Sequence, residues 1–252
     1  AGATAVQEAA FTMANAIAYV EQVVQTGTNV DDFAHRLSFY FVSQADFFEE
    51  IAKFRAVRRV YAKIMAERFG AKKPESMRLR FHAQTAAASL TRPQHKVNLM
   101  RTAYQALSAV LGGAQSLHTN GLDEAFAIPT EEAMKLSLRT QQVIAHETNV
   151  TSVIDPLGGS YYVETLTSQI EQDIFEILRK VDEMGGTLAV IESGWFQTQI
   201  ADSAYDFAQR KASGQRPVIG VNKFIEEGEK FDVEVHRHDP ETELRQIGNL
   251  KR

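Results

Sequence analysis

Three times within residues 1–150 a short run of alternating polar and apolar residues is followed by a long amphipathic stretch, and this repeat constrains the fold more than any other feature. In Arg36–Val42, Leu37, Phe39 and Phe41 alternate with Arg36, Ser38 and Tyr40. In Arg78–Gln84, Leu79, Phe81 and Ala83 alternate with Arg80, His82 and Gln84. Within Leu111–Glu124, Ser116, His118 and Asn120 alternate with Leu117 and Thr119. A period of two gives a strand with unlike faces. The stretches between read as helices. Asp46–Phe69 carries Phe47, Ile51, Phe54, Tyr61 and Met65 on one side and stops at Gly70. Val97–Leu111 ends at Gly112-Gly113, and the last helix opens at Pro129-Thr130-Glu131-Glu132 and reaches about Thr148.

Strands separated by helices of this length predict a parallel sheet with right-handed crossovers. The alternation adds a condition. A parallel sheet covered on both faces reads as nearly continuous apolar runs, and an ordinary eight-stranded barrel is filled by bulky branched residues. Here each strand keeps one polar face. If helices cover the apolar faces, the sets Arg36/Ser38/Tyr40, Arg80/His82/Gln84 and Ser116/His118/Asn120 look into a shared interior that holds a polar ligand. An antiparallel sheet with a solvated side remains as the alternative; it fits the alternation but not the long helices between strands.

The repeat is preceded by a helix from Ala3 to Gln25, with Val6, Ala10, Met13, Ile17, Val20 and Val24 in one stripe and no evident cap. That abrupt start is expected of a chain that opens inside a larger unit. After Asn149 the turn-rich segment Asp155–Ser160 reaches Tyr161-Tyr162. Helices follow: one with a capping box at Ser168 and Glu171 and a stripe through Ile170, Ile174, Ile177, Val181 and Met184, then Thr187–Glu192 and Phe196–Ala212. Val218–Phe224 reads as extended, and the charged tail as an exposed linker or peripheral helix.

Several function classes drop out. A net charge of -5 with scattered basic residues gives no footprint for nucleic acid. No apolar run is long enough to cross a bilayer, and the first residues do not resemble a signal peptide, so a cytoplasmic protein is expected. With no cysteine there is neither a thiolate metal site nor a Cys nucleophile. The histidines show no helical metal spacing, His236 and His238 falling in the tail, and no metal bound directly by the chain is expected. Gly112-Gly113 lacks the pattern of a phosphate loop. Asp123 and Glu124, just past the third strand, stand where ligands of a barrel bind. Glu124 suits a ribose or other polyol, although two acids in the first turn of a helix need no ligand. Arg36 suits an anion such as phosphate, or an ion pair with a neighbouring acid.

The motifs RLSFYF, DFFEEIAKFRA, FHAQT, LGGAQSLHTNGLDEAFAIPTEE and DPLGGSYYVE, in this order, resemble the large subunit of the methylmalonyl-CoA mutase family. The resemblance runs nearly end to end, over the later part of the family's substrate barrel; Ala1-Gly2-Ala3 matches the tail of a Tyr-His-x-x-Glu-Ala-Gly-Ala motif. It implies the C-terminal part of a (β/α)8 TIM-type barrel in residues 1–150, a mainly helical extension in 151–225 and a charged linker segment in 226–252. It implies an isomerase, in which adenosylcobalamin drives a radical carbon-skeleton rearrangement of an acyl-CoA threaded through a polar-lined barrel. By motif, Arg36, Ser38, Tyr40 and His82 resemble substrate contacts, His82 and Gln84 being near the acyl group. Gln84, Ala87, Asn120, Glu124 and Ile128 resemble cofactor contacts, with Glu124 toward the adenosyl ribose. The family's catalytic tyrosine and histidine, its carboxylate-gripping arginine and its cobalamin-ligand motif find no match in this sequence. The resemblance therefore implies a fragment or split subunit, inactive alone, that works in an oligomer with the other barrel half and a cobalamin-binding domain or subunit. A non-catalytic module that binds coenzyme A or a partner subunit is the alternative.

Overall fold

The computed structural model describes residues 2–229, 233, 235 and 239–252. Helix α1 (Ala5–Gln25) leads through the single turn α2 (Val30–Phe33) to strand β1 (Phe39–Ser43), helix α3 (Phe47–Lys63) and strand β2 (Phe81–Thr85). Helix α4 (Asn98–Leu111), strand β3 (Ser116–His118) and helix α5 (Glu131–Glu147) complete the repeat. The strands form one parallel sheet in the order β1-β2-β3, with Tyr40 beside His82 and His82 beside Ser116 in register. The chain is thus α/β with helical crossovers, as expected of part of a mutase barrel, and the antiparallel alternative is excluded.

The apolar strand face builds the core. Phe41, Phe81 and Ala83 are buried against α3, where the Phe54 ring stacks on Phe81 with centroids 5.1 Å apart and meets Phe41 edge-on at 6.4 Å. Phe39 meets Tyr61 edge-on at 5.2 Å. Such pairs contribute roughly 0.5–1.5 kcal/mol each beyond area burial, enough to fix which face of α3 lies on the sheet. Helix α6 (Tyr161–Glu183) packs along α3 and α1, so Ile170, Ile174, Leu178 and Val181 join the same core. The short α7 (Thr187–Glu192) adds Val190 and the long α8 (Trp195–Ala212) adds Phe196, while α9 (Pro240–Leu250) is exposed.

Several boundaries differ from the sequence expectation. β1 and β2 begin at Phe39 and Phe81, because residues 34–36 form a tight helical turn and Arg78–Arg80 lie outside the ladder. Arg36 is therefore not on a strand. α1 does have a cap, since Thr4 and Gln7 form a reciprocal capping box. α3 widens into a π turn over Ile64–Arg68, in which Ile64 and Met65 are both buried. α6 starts at Tyr161 behind the N-cap Ser160, and Ser168 with Glu171 caps nothing. Glu171 instead accepts ion pairs of 2.6 Å from Arg59 and Lys63. Tyr161 and Tyr162 are exposed, so the first turn of α6 carries no apolar stripe to announce it. Val218–Phe224 is a set of turns with one bridge between Ile219 and Lys223. His236 and His238 lie outside the described residues. Among the described residues no helix is long and apolar enough to cross a membrane, and no cluster of side chains could hold a metal ion.

Candidate functional site

The second face of the sheet carries the polar side chains, and the parallel register sets them in rows. In the first row Tyr40 stacks on His82 with ring centroids 5.6 Å apart, and His82 Nδ1 lies 2.5 Å from Ser116 Oγ. One step toward the C-terminal ends, Gln84 stands beside His118. The Tyr40 hydroxyl donates to Gln84 Oε1, and Gln84 Nε2 donates to Asn120 Oδ1 at 2.8 Å. Asn120 is anchored in turn: its Nδ2 donates to Thr85 O at 3.0 Å and its backbone N–H to Thr85 Oγ1 at 2.9 Å. Tyr40, His82, Gln84, Ser116 and Asn120 therefore form one connected surface. Tyr40 is 51% exposed, while Asn120, at 2%, sits in the wall.

The remaining sequence candidates lie around this surface. Ser38 is exposed just before β1; Leu37 packs on the core, so alternation turns Ser38 to the polar side. Arg36 is exposed at the same N-terminal end, as is Arg80, which donates to His35 O. Among the described residues neither arginine has a carboxylate within 4.0 Å, so no ion pair accounts for Arg36. Beyond the opposite, C-terminal ends of the strands lie Ala87, Glu124 and Ile128. Ala87 and Ile128 are exposed, Ile128 by 70%, and neither hydrogen-bonds the polar row. The two acids separate in role. Asp123 is buried and its Oδ2 accepts the backbone N–H and the hydroxyl of Thr130, holding the start of α5. Glu124 is half-buried, with its carboxylate engaged by no described residue.

Sequence reasoning missed the groups that hold this surface in place. Thr85 anchors Asn120. Gln105, buried in α4, accepts from the Ala86 N–H at 2.9 Å, and its Nε2 donates to Ser89 Oγ at 2.6 Å, fixing the backbone past β2. At the outer edge of β1, Lys53 of α3 is fully buried between Glu50 and Glu8, at 2.5 and 2.6 Å. Burial pushes the Glu50 carboxyl up to about 7 against the pull of Lys53. Burial works against the Lys53 ammonium as well, but the two carboxylates outweigh it and hold its pKa above the ordinary value. Glu50 and Lys53 three apart on a buried helix were the available signal.

The parallel sheet thus lays one face on its helices and offers hydroxyl, imidazole and amide groups on the other. Comparison with known proteins agrees on the architecture's origin. The family model described as Methylmalonyl-CoA mutase matches residues 1–252. The large subunit of 2-hydroxyisobutanoyl-CoA mutase from Aquincola tertiaricarbonis is 67% identical over 252 residues, all of this chain and 45% of that protein. Methylmalonyl-CoA mutase from Cereibacter sphaeroides is 47% identical over 227 residues, 89% of this chain and 32% of that protein. The large subunit from Porphyromonas gingivalis is 44% identical over 224 residues, 89% of the chain and 31% of that protein. The chain thus spans less than half the length of these relatives. On a match covering its whole length, this chain belongs to the methylmalonyl-CoA mutase family.

Proposed function

We propose that this chain contributes three consecutive strands, with their helices, to the substrate barrel of an acyl-CoA mutase, an isomerase that rearranges the carbon skeleton of a coenzyme A thioester. The observation that carries this reading is the polar row itself: Tyr40, His82, Gln84 and Ser116 on one face of a parallel sheet, joined by Asn120 just past β3 through its bond to Gln84, while the other face packs on the core. Residues 1–150 would form the barrel part, 151–225 a helical extension and 226–252 a linker. Arg36 and Ser38 stand at the end where coenzyme A would enter; a guanidinium with no carboxylate partner among the described residues suits its phosphates. Tyr40 and His82 would line the acyl group, and Gln84 would stand between substrate and cofactor.

Adenosylcobalamin fits the opposite end. Glu124 offers for ribose hydroxyls a carboxylate that no described residue engages, Gln84 and Asn120 offer amides, and the exposed Ala87 and Ile128 give small and apolar surface for a planar macrocycle. When bound, the cofactor supplies a cobalt–carbon bond that breaks homolytically. The chain's own residues orient the acyl group and keep water away from it. Whatever ligand the cobalt takes from protein, the rest of the barrel and the cobalamin-binding domain would come from other residues, in the same polypeptide or in a partner subunit of an oligomer.

The test is reconstitution. The chain alone should show no isomerisation of acyl-CoA with adenosylcobalamin, and joining it to the remaining barrel and a cobalamin-binding subunit should restore turnover. Coenzyme A binding with no turnover in that assembly would favour a non-catalytic module, and turnover by the chain alone would refute the division of labour.

A further inference from the structure

The direction of every hydrogen bond in the chain from Thr85 to Tyr40 is fixed by its anchor. Thr85 O is a backbone carbonyl and can only accept, so the Asn120 atom 3.0 Å from it is the amide nitrogen and Asn120 Oδ1 is left as an acceptor. The nitrogen of Gln84 must then face Oδ1, as it does at 2.8 Å, which turns Gln84 Oε1 toward Tyr40. A carbonyl oxygen accepts only, so the Tyr40 hydroxyl has to donate to it. Asn120 cannot turn over to reverse the order, being 2% exposed with its own N–H held by Thr85 Oγ1. What Tyr40 has left for a ligand is the lone pairs of its oxygen. Burial and the charge of Glu8 push its phenol pKa up, so it stays a neutral phenol in ordinary buffers.

We propose that Tyr40 meets its ligand as a hydrogen-bond acceptor only, and that this point of the site selects an O–H or N–H donor over a carboxylate. For the nature of the ligand the proposal rests on the acyl-CoA reading above. An acyl carboxylate placed here would face oxygen lone pairs with no proton between them, with the negative charge of Glu8 nearby. A hydroxyl on the acyl group, or an amide N–H of the coenzyme A arm, would complete the chain of donors and acceptors at its open end.

Calorimetric titration of the intact protein with coenzyme A, 2-hydroxyisobutanoyl-CoA and methylmalonyl-CoA separates these sources. The substitution Tyr40→Phe keeps the ring stacked on His82 and removes only the oxygen. It is expected to weaken 2-hydroxyisobutanoyl-CoA alone by about 5–30-fold if the donor is the acyl hydroxyl, and all three probes alike if it is the amide of the arm. Weakening confined to methylmalonyl-CoA would mean that Tyr40 donates to a carboxylate, and unchanged binding of all three that it touches no ligand; either overturns the proposal. A second measurement needs no ligand. The 13Cζ chemical shift of Tyr40 reports the hydrogen bond its hydroxyl donates, so Gln84→Leu, which removes the acceptor, should move that resonance. A resonance identical in both proteins overturns the relay, whereas an intact relay with no thioester binding counts against the acyl-CoA reading instead.

Discussion

Lys53 Nζ lies 2.6 Å from the backbone oxygen of Val42, so a side chain of α3 occupies a position on the sheet edge that a neighbouring strand would otherwise take. The N–H of Val42 is closed as well, donating to Glu8 Oε1 at 2.7 Å. Phe39 and Ser43 direct their backbone bonds to the β2 side, through Arg80 O and the Ala86 N–H that flank that strand, so Tyr40 and Val42 turn theirs to the outer edge. The charged cluster therefore ends the edge of β1 at Val42 and leaves the part around Tyr40 for pairing. This is a specific device for limiting where another strand can add.

Because that cluster is sealed, removing its cation should be costly. Lys53→Met leaves the fully buried Glu50 without its counter-ion and Val42 O without its donor, an expected loss of roughly 3–5 kcal/mol in a urea titration. Adding Glu50→Gln to it should recover part of that loss, since the stranded charge is then gone. A single substitution within 1 kcal/mol of the parent would show that the cluster contributes little.

The same cluster gives the stability a pH dependence of defined sign. Glu50 titrates at about 7 in the fold, above its ordinary value of 4.5, chiefly because it is buried. Between those two values the folded chain binds more protons than the unfolded one, so stability should fall as pH rises from about 4.5 to 7. Glu50→Gln should flatten that slope, which thermal melts across the interval would measure. A slope of the opposite sign, unchanged by the substitution, would assign the dependence to other groups.

Gly112 matters for space and not for its backbone angle. Its φ is −76°, open to any residue, but an added Cβ would stand 2.6 Å from Phe54 Cδ2 and 3.0 Å from Ser108 O. Phe54 is locked against Phe41 and Phe81 and cannot withdraw. Gly112→Ala should therefore destabilise by about 1–3 kcal/mol, an overpacking cost. At Gly113, where φ is +84°, a side chain would be strained by the backbone itself. Equal and small losses at both positions would contradict this account.

These cases mark what was legible beforehand. The alternation of Phe39, Phe41, Phe81 and Ala83 with Tyr40, His82 and Gln84 is a local signal of period two, and it placed both faces correctly. It ran past the true start of β1 because Arg36, Leu37 and Ser38 continue the pattern although residues 34–36 are a helical turn; alternation does not report hydrogen bonding. The bond from Gln84 to Asn120 depends on register between strands 36 residues apart, and the one from Lys53 to Glu8 spans 45. Neither is written in any short window. The family motifs carried both Asn120 and Glu124, while the geometry gives them different settings: one is built into the wall and the other, at the rim, has a carboxylate that no described residue engages.

Arg36 offers the clearest separation of binding from folding. It is exposed, has no carboxylate partner among the described residues and sits outside the sheet, so Arg36→Ala should shift stability by no more than about 0.5 kcal/mol. If its charge instead meets the phosphates of coenzyme A, the same substitution in the intact protein should weaken coenzyme A binding by roughly tenfold. The salt dependence of binding should become shallower too, because one charge-assisted contact is gone. Calorimetry at two ionic strengths beside a thermal melt makes the distinction. An unfolding loss with unchanged affinity would return Arg36 to a structural role, and unchanged values in both would remove it from the site.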